Sequence, residues 1–271
     1  MTIKIRNRFN IIFSIIAIVI TSLNVLLFTY QILTKSFIGP EVYIADPSPV
    51  FLFKYNPLFV VIGIFLLDIY VIVTSILVHR NFEKTQSTEI VFFLIFLISC
   101  LFDTMRILVP LLRISNTYSR LLMQVAYVTL FARVLAPLSI LGITVLSDDE
   151  ARQNVDRNCI FIIITALFFA KLIPFNTGVI NANFCVAYGY SKILRYSSFF
   201  ICIASISALI ISNKRNEYGQ VTTIGLILFV IGYSAMFFCY NLFLLILGPL
   251  LLCIGTFIYL KSLHKQFMWM D

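Results

Sequence analysis

Residues 220–260 form an almost uninterrupted apolar run. As one helix it would be roughly 60 Å long at 1.5 Å per residue, about twice the 30 Å hydrocarbon thickness of a bilayer. The chain therefore has to turn near the middle, and Cys239-Tyr240-Asn241 is the most polar point there. Gly232 and Gly248 lie eight residues either side of Tyr240, and Gly225 and Gly255 fifteen. Folding at Tyr240 brings these glycines to matching depths, and each pair seven apart shares one helix face. Small residues let membrane helices approach closely. The pattern predicts a tight antiparallel hairpin with a glycine seam.

The rest of the chain has the same character. Its hydrophobic fraction is 61% and its charged fraction 12%, with a mean hydropathy of +1.00. Soluble domains run near 45–50% apolar and about 25% charged. This composition excludes a soluble enzyme, a secreted disulfide scaffold, a disordered chain and a nucleic-acid-binding domain. Spans of about 20 apolar residues fall at 10–33, 56–79, 89–113, 121–146, 159–180, 193–213, 220–239 and 241–260. The first span is too long for a signal-peptide core, and no A-x-A-like site follows it. The expected fold is all-α: residues 1–271 as a single polytopic domain, a bundle of about eight transmembrane helices.

The net charge of +8 reads as topology. One side holds Lys4, Arg6, Arg8, Arg80, Lys84, Arg152, Arg157, Lys214, Arg215, Lys261 and Lys265; the other holds Lys35, Lys54, Arg113, Arg120, Lys192 and Arg195. The richer side belongs in the cytoplasm. An even number of spans then places both termini inside a plasma or inner membrane, unlike a G-protein-coupled receptor. The longest outer connections are 34–55, with Pro40, Pro47 and Pro49, and 181–192, with Asn181, Asn183, Tyr188, Gly189 and Tyr190. Connections of this length either carry function or shield helix ends.

Five ionisable residues fall inside the spans: Asp68, Asp103, Arg106, Arg133 and Lys171. A charge at mid-bilayer costs about 2.5–3.5 kcal/mol even on the lenient insertion scale, so these side chains should face the interior and find one another. Counted from the outer span ends at 1.5 Å per residue, Asp68, Asp103, Arg106 and Arg133 share a layer roughly 8 Å thick. Lys171 lies nearer the outside. Asp103 and Arg106 are three apart and share a face, which leaves Asp68 and Arg133 to pair across helices. Two acids against three bases leave a net +1, suited to a carboxylate or phosphate. Thr104, Gln124, Tyr127, Thr165 and Tyr70 are polar neighbours that either join this site or make ordinary interhelical hydrogen bonds.

Prolines follow the bases: Pro110 after Arg106, Pro137 after Arg133 and, less regularly, Pro174 after Lys171. A proline clashes with the carbonyl four residues back and removes its own donor. The first two predict kinks at the arginines themselves. Freed backbone groups at this depth line cavities or are satisfied by neighbours. Charge and kink together mark either a ligand site or structural glue. The stripe Ala204, Ala208, Ser212 has small-residue packing spacing.

Other chemistry is missing. There is no H-E-x-x-H, G-x-S-x-G, P-loop or G-x-G-x-x-G, so no catalytic residue is assigned and no enzyme is expected. Asp68 and Asp103 as an aspartyl dyad would have to share a proton, which two arginines oppose. Cys100, Cys159, Cys185, Cys202, Cys239 and Cys253 show no C-x-x-C spacing, and His79 and His264 stand near span ends, so no metal site is expected. Asp148-Asp149-Glu150 reads as a solvated loop or helix start. No lysine in the last two spans suits a retinal linkage. No cofactor is implied.

Three readings stand. The first is a receptor-like or sensory module that binds a small anionic or amphiphilic ligand at the charged cluster. With only about ten residues beyond the last span, it would signal through a separate cytoplasmic or membrane protein partner. The second is a small transporter or permease subunit for an anionic substrate, since charged, broken helices near midplane resemble transporter sites, although no inverted repeat is visible. The third is a non-catalytic assembly subunit. The partners expected are the lipid bilayer, a small anion and a protein, with no nucleic acid.

Overall fold

The computed structural model describes residues 3–34, 51–85, 87–112, 119–145, 155–213 and 219–268. The expectations for most of the connection 34–55 and for Asp148-Asp149-Glu150 lie outside the described residues. The elements are α1 (Ile3–Leu33), α2 (Pro57–Phe82), α3 (Thr88–Thr104), a 3-10 turn (Met105–Ile107) leading into the single turn α4 (Leu108–Leu111), α5 (Ser119–Val145), α6 (Val155–Leu172), β1 (Phe175–Ile180), β2 (Val186–Tyr188), α7 (Ser191–Asn213), α8 (Gly219–Phe237) and α9 (Leu242–Met268). Seven helical stretches are long and apolar enough to cross a membrane: α1, α2, α3 through α4, α5, α7, α8 and α9. This is an integral, multi-pass helical protein.

Helix starts carry the expected chemistry. Asn56 caps α2 by accepting from the Leu58 amide at 2.9 Å, with Pro57 in the first turn. Ser87 caps α3. Asn241 accepts from the Leu244 amide at 3.1 Å and starts α9. Side-chain acceptors of this kind satisfy amides that no helical carbonyl can reach.

Two sequence expectations need correction. The span 159–180 is not one helix: α6 ends at Leu172, and 175–180 is a strand, antiparallel to β2 with an irregularity between Asn176 and Ile180. The fold remains all-α, with this two-stranded hairpin as a small addition among the described residues. Pro174 lies past the end of α6 rather than inside it, and its carbonyl accepts from the Gly189 amide at 2.8 Å. Residue 173 is pushed out of the helical region by the proline that follows it, so this proline ends the helix instead of kinking it.

The other prolines differ from one another. Before Pro110 the helix tightens without ending: α3 gives way after Thr104 to the 3-10 turn that contains Arg106, which runs straight into α4 with a helical backbone at Thr104, Met105, Ile107 and Leu108. At Pro137 α5 runs on without interruption. Pro249 lies inside α9 and was not singled out from the sequence.

α8 and α9 pack along their length. A Cβ built on Gly232 would meet the Leu252 Cα at 2.6 Å, one on Gly255 the Phe229 Cα at 2.8 Å, one on Gly225 the Tyr259 N at 2.8 Å, and one on Gly248 the Met236 N at 3.1 Å. Partner numbers fall as the glycine numbers rise, so the two helices are antiparallel. The main core is built on α3, with Phe92, Phe93, Phe96 and Leu97 fully buried against α5, α8 and α9.

The inner face of α1 is polar. Arg6, Asn10, Asn24 and Gln31 are buried. Arg6 donates to the carbonyls of Phe82 and Thr85 and so caps the end of α2. Asn10 donates to the Ser75 carbonyl at 3.1 Å, Ser14 bonds Ser75, and Gln31 donates to the Leu111 carbonyl. In lipid such groups must find protein partners, so they fix the register of α1 against α2 and α4.

Candidate functional site: a charged layer under an inserted hairpin

Asp103 is the hub of the layer. One carboxylate oxygen lies 3.6 Å from Arg106 Nη2 and the other 3.6 Å from Arg133 Nε. Asp103 is fully buried and Arg106 is 1% exposed. The 3-10 turn after Thr104 carries Arg106 to the C-terminal end of α8, where it donates to the Phe237 carbonyl at 3.1 Å and faces the Met236 carbonyl at 3.5 Å. A guanidinium there adds donors to carbonyls of the last helical turn and meets the negative end of the helix dipole. Arg133 lies on α5 with its guanidinium carbon 3.9 Å from the Phe237 ring centroid and 5.9 Å from that of Tyr188.

The lid of this layer comes from the hairpin. Arg133 Nη2 donates to the Cys185 thiol. Asn183 donates to the Phe237 carbonyl at 3.4 Å and accepts from the Cys185 amide. Phe184 has φ = 65°, a left-handed conformation that bulky side chains avoid. Its ring is nevertheless fully buried among Val60, Val61, Ile64, Ile107 and Leu111. Such a backbone persists only where packing over-determines it. The segment between β1 and β2 is thus a plug driven between α2, α4 and α5, and not a loop lying on the surface. The sequence marks the ends of this hairpin with Pro174 before it and Gly189 after it, but not its insertion between helices.

The expected members divide as follows. Asp103, Arg106 and Arg133 meet. Asp68 does not pair with Arg133. It faces α1 and α3, with Asn24 and Thr104 as polar neighbours. It is fully buried, and neither of its carboxylate oxygens has a hydrogen-bond partner. Depth along a helix places residues in one layer but says nothing of azimuth, and the azimuth of Asp68 points to α1. Lys171 is exposed on α6, its ammonium 4.6 Å from the Tyr127 ring centroid, outside the cluster. Of the polar neighbours, Thr104 donates to the Leu101 carbonyl and Tyr70 bonds Thr256 at 2.8 Å.

The layer is under-satisfied. Arg106 Nε, Arg133 Nε and both Asp103 oxygens lack a hydrogen bond of normal geometry. At 3.6 Å the ion pairs attract but do not hydrogen-bond. Among the described residues, no group of three or more His, Cys, Asp or Glu side chains could hold a metal. Burial pushes the Cys185 thiol up, with the guanidiniums of Arg133 and Arg106 pulling the other way, so the group on Arg133 is a neutral thiol. Comparison with protein-family models, with curated proteins and with solved structures returned no match.

Proposed function

We propose that the chain is a receptor-like membrane module whose charged layer takes a small oxyanion, a carboxylate or phosphate, with the inserted hairpin as the element that responds. The observation that supports this reading is the state of Arg133. Its outer donor rests on a neutral thiol, a weak acceptor, and its Nε has only the 3.6 Å ion pair with Asp103 and no hydrogen bond. Two guanidiniums share one carboxylate, which leaves a net +1. An oxyanion accepts charge-assisted hydrogen bonds about twice as strong as neutral ones. It would compete with Cys185 for Arg133 and loosen the plug.

The topology that goes with this reading has eight crossings, both termini in the cytoplasm, and the hairpin outside. α6 is the eighth. It is about 27 Å long at 1.5 Å per residue and runs back along α5: Ile162 lies beside Gly142, whereas Lys171 and Phe175 lie beside Tyr127. Its outward residues Ile160, Phe161, Ile164 and Phe168 are exposed and apolar, as a lipid-facing side requires. Signalling then passes to a separate cytoplasmic or membrane partner.

A transporter is the second reading, and Asp68 is what favours it. A buried carboxylate without a partner near midplane is the type of group that carries protons or coupling ions in transporters. Measuring equilibrium binding of phosphate and small carboxylates in nanodiscs, beside uptake into proteoliposomes, separates the two. Binding without uptake is the expected result. Uptake that Asp68→Asn abolishes would replace the receptor reading with the transporter.

A further inference from the structure

Away from the charged layer, α2 and α9 leave a groove of about 630 Å³ between them. Its walls are apolar, formed by Ile69, Val73 and Leu77 on α2 and Leu252, Phe257 and Leu260 on α9. Several of these side chains are open to the surroundings: Ile69 is 53% exposed and Phe257 63%. Two hydroxyls at the middle of the groove pair with each other. Thr256 donates to the Leu252 carbonyl at 2.7 Å, so the Tyr70 hydroxyl donates to Thr256. Tyr70 and Thr256 therefore present no unpaired hydroxyl hydrogen to the middle of the groove.

Polar character collects at one end. Asn81 near the end of α2, with Lys261 and His264 in the last turns of α9, line that mouth. Asn81 and Lys261 are exposed. The Lys261 ammonium lies 5.6 Å from the Phe257 ring centroid, folded over the apolar wall. His264 packs edge-on against Phe82, and its Nδ1 is buried without a hydrogen-bond partner. No acid is among the described residues that line the groove. From Leu66 to Asn81 the groove follows α2 for about 22 Å at 1.5 Å per residue, more than the roughly 15 Å of one leaflet's acyl region, half of the hydrocarbon core.

An apolar slot of acyl-chain length, open to the side and closed at one end by basic and amide donors without an acid, is complementary to one kind of molecule. We propose that this groove is a binding site for an anionic phospholipid, one acyl chain lying between α2 and α9 and the phosphate on Lys261 and Asn81. Basic pockets between transmembrane helices recognise anionic headgroups in this way. On the eight-crossing topology proposed above, the Lys261 end is also the side with the larger share of Lys and Arg, which is where anionic lipids are concentrated. A lipid seated there bridges α2 to α9 and so couples the α8–α9 hairpin to the helix that carries Asp68.

The test uses the full chain in nanodiscs of phosphatidylcholine with and without phosphatidylglycerol. Lipid retained after mild delipidation is read by native mass spectrometry. Wild type is expected to retain phosphatidylglycerol in preference to phosphatidylcholine. Lys261→Gln should cut that preference about fivefold, the worth of one basic residue at a lipid surface. Val73→Trp, which fills the slot without touching a charge, should lower retention of both lipids. Equal retention of the two lipids by wild type would overturn the proposal, as would a preference unchanged in Lys261→Gln. Full retention by a folded Val73→Trp protein would place the lipid elsewhere on the surface and overturn it too.

Discussion

Replacing Gly232 by alanine tests the geometry of the α8–α9 hairpin. On an exposed helix, Gly→Ala stabilises by about 1 kcal/mol through backbone entropy. At Gly232 the new Cβ would lie 2.6 Å from the Leu252 Cα and 2.8 Å from the Leu251 carbonyl carbon. Both atoms are backbone, so no rotamer change relieves the clash. Ordinary carbon contact is about 3.5–4.0 Å, which means that the helices must part by roughly 1 Å locally. Overpacking of this kind costs about 1–3 kcal/mol, and parting also loosens the neighbouring contact at Gly255, so the sign of the usual glycine effect reverses. Thermal unfolding in one detergent, followed by helical circular dichroism, should rank Gly232→Ala and Gly255→Ala as the most destabilised. Gly248→Ala should be milder, because its Cβ comes no closer than 3.1 Å to the Met236 backbone nitrogen and its other near contacts, Sδ and Cγ of Met236, belong to a flexible side chain that can give. A Gly232→Ala protein as stable as wild type would refute the close approach of the two helices.

Other outcomes follow from the charged layer. Asp103→Ala and Arg133→Ala should each destabilise by about 3–5 kcal/mol, the usual cost of stranding a buried charge. The double variant should recover part of that loss in the same unfolding assay, and strict additivity would rule out the shared charge. Asp68→Asn removes a buried carboxylate without a partner, so its unfolding temperature should equal or exceed that of wild type; a loss above about 2 kcal/mol would reveal a charged partner for Asp68. Cys185 is 2% exposed and its thiol is pushed up by burial, so it should resist a membrane-impermeant maleimide at neutral pH. Phe184→Ala, which removes a fully buried ring, should accelerate that labelling; rapid labelling of the native protein would mean that the hairpin is not inserted.

The helices were legible in the sequence because membrane spanning depends on length and apolar content, both one-dimensional properties. The turn at Cys239-Tyr240-Asn241 was legible for the same reason, since an apolar run twice the bilayer thickness has to fold. The strand at 175–180 was not, because Phe-Asn-Thr-Gly-Val-Ile is as apolar as the end of a helix. Only its punctuation, Pro174 and Gly178, differed. The charged layer was legible by depth, which selected Asp103, Arg106 and Arg133. Which carboxylate each arginine meets depends on azimuth, and there depth misled by assigning Asp68 to Arg133. The polar face of α1 was available as Asn10, Asn24 and Gln31, spaced by multiples of seven, but uncharged residues in an apolar span do not stand out as charges do. The plug at Asn183–Cys185 rests on a long-range insertion that no local pattern encodes.

The central claim is that the layer of Asp103, Arg106 and Arg133 takes a small oxyanion. The most direct measurement is the unfolding temperature of the purified protein across a series of phosphate and small carboxylates, beside Arg106→Gln and Arg133→Gln. An anion at one hundred times its Kd should add about 2.7 kcal/mol of stability to wild type, and both variants should lose that gain. An unchanged unfolding temperature with every anion in the series, in a protein that remains folded, would contradict the claim and leave the layer as an internal fastening of α3, α5 and α8.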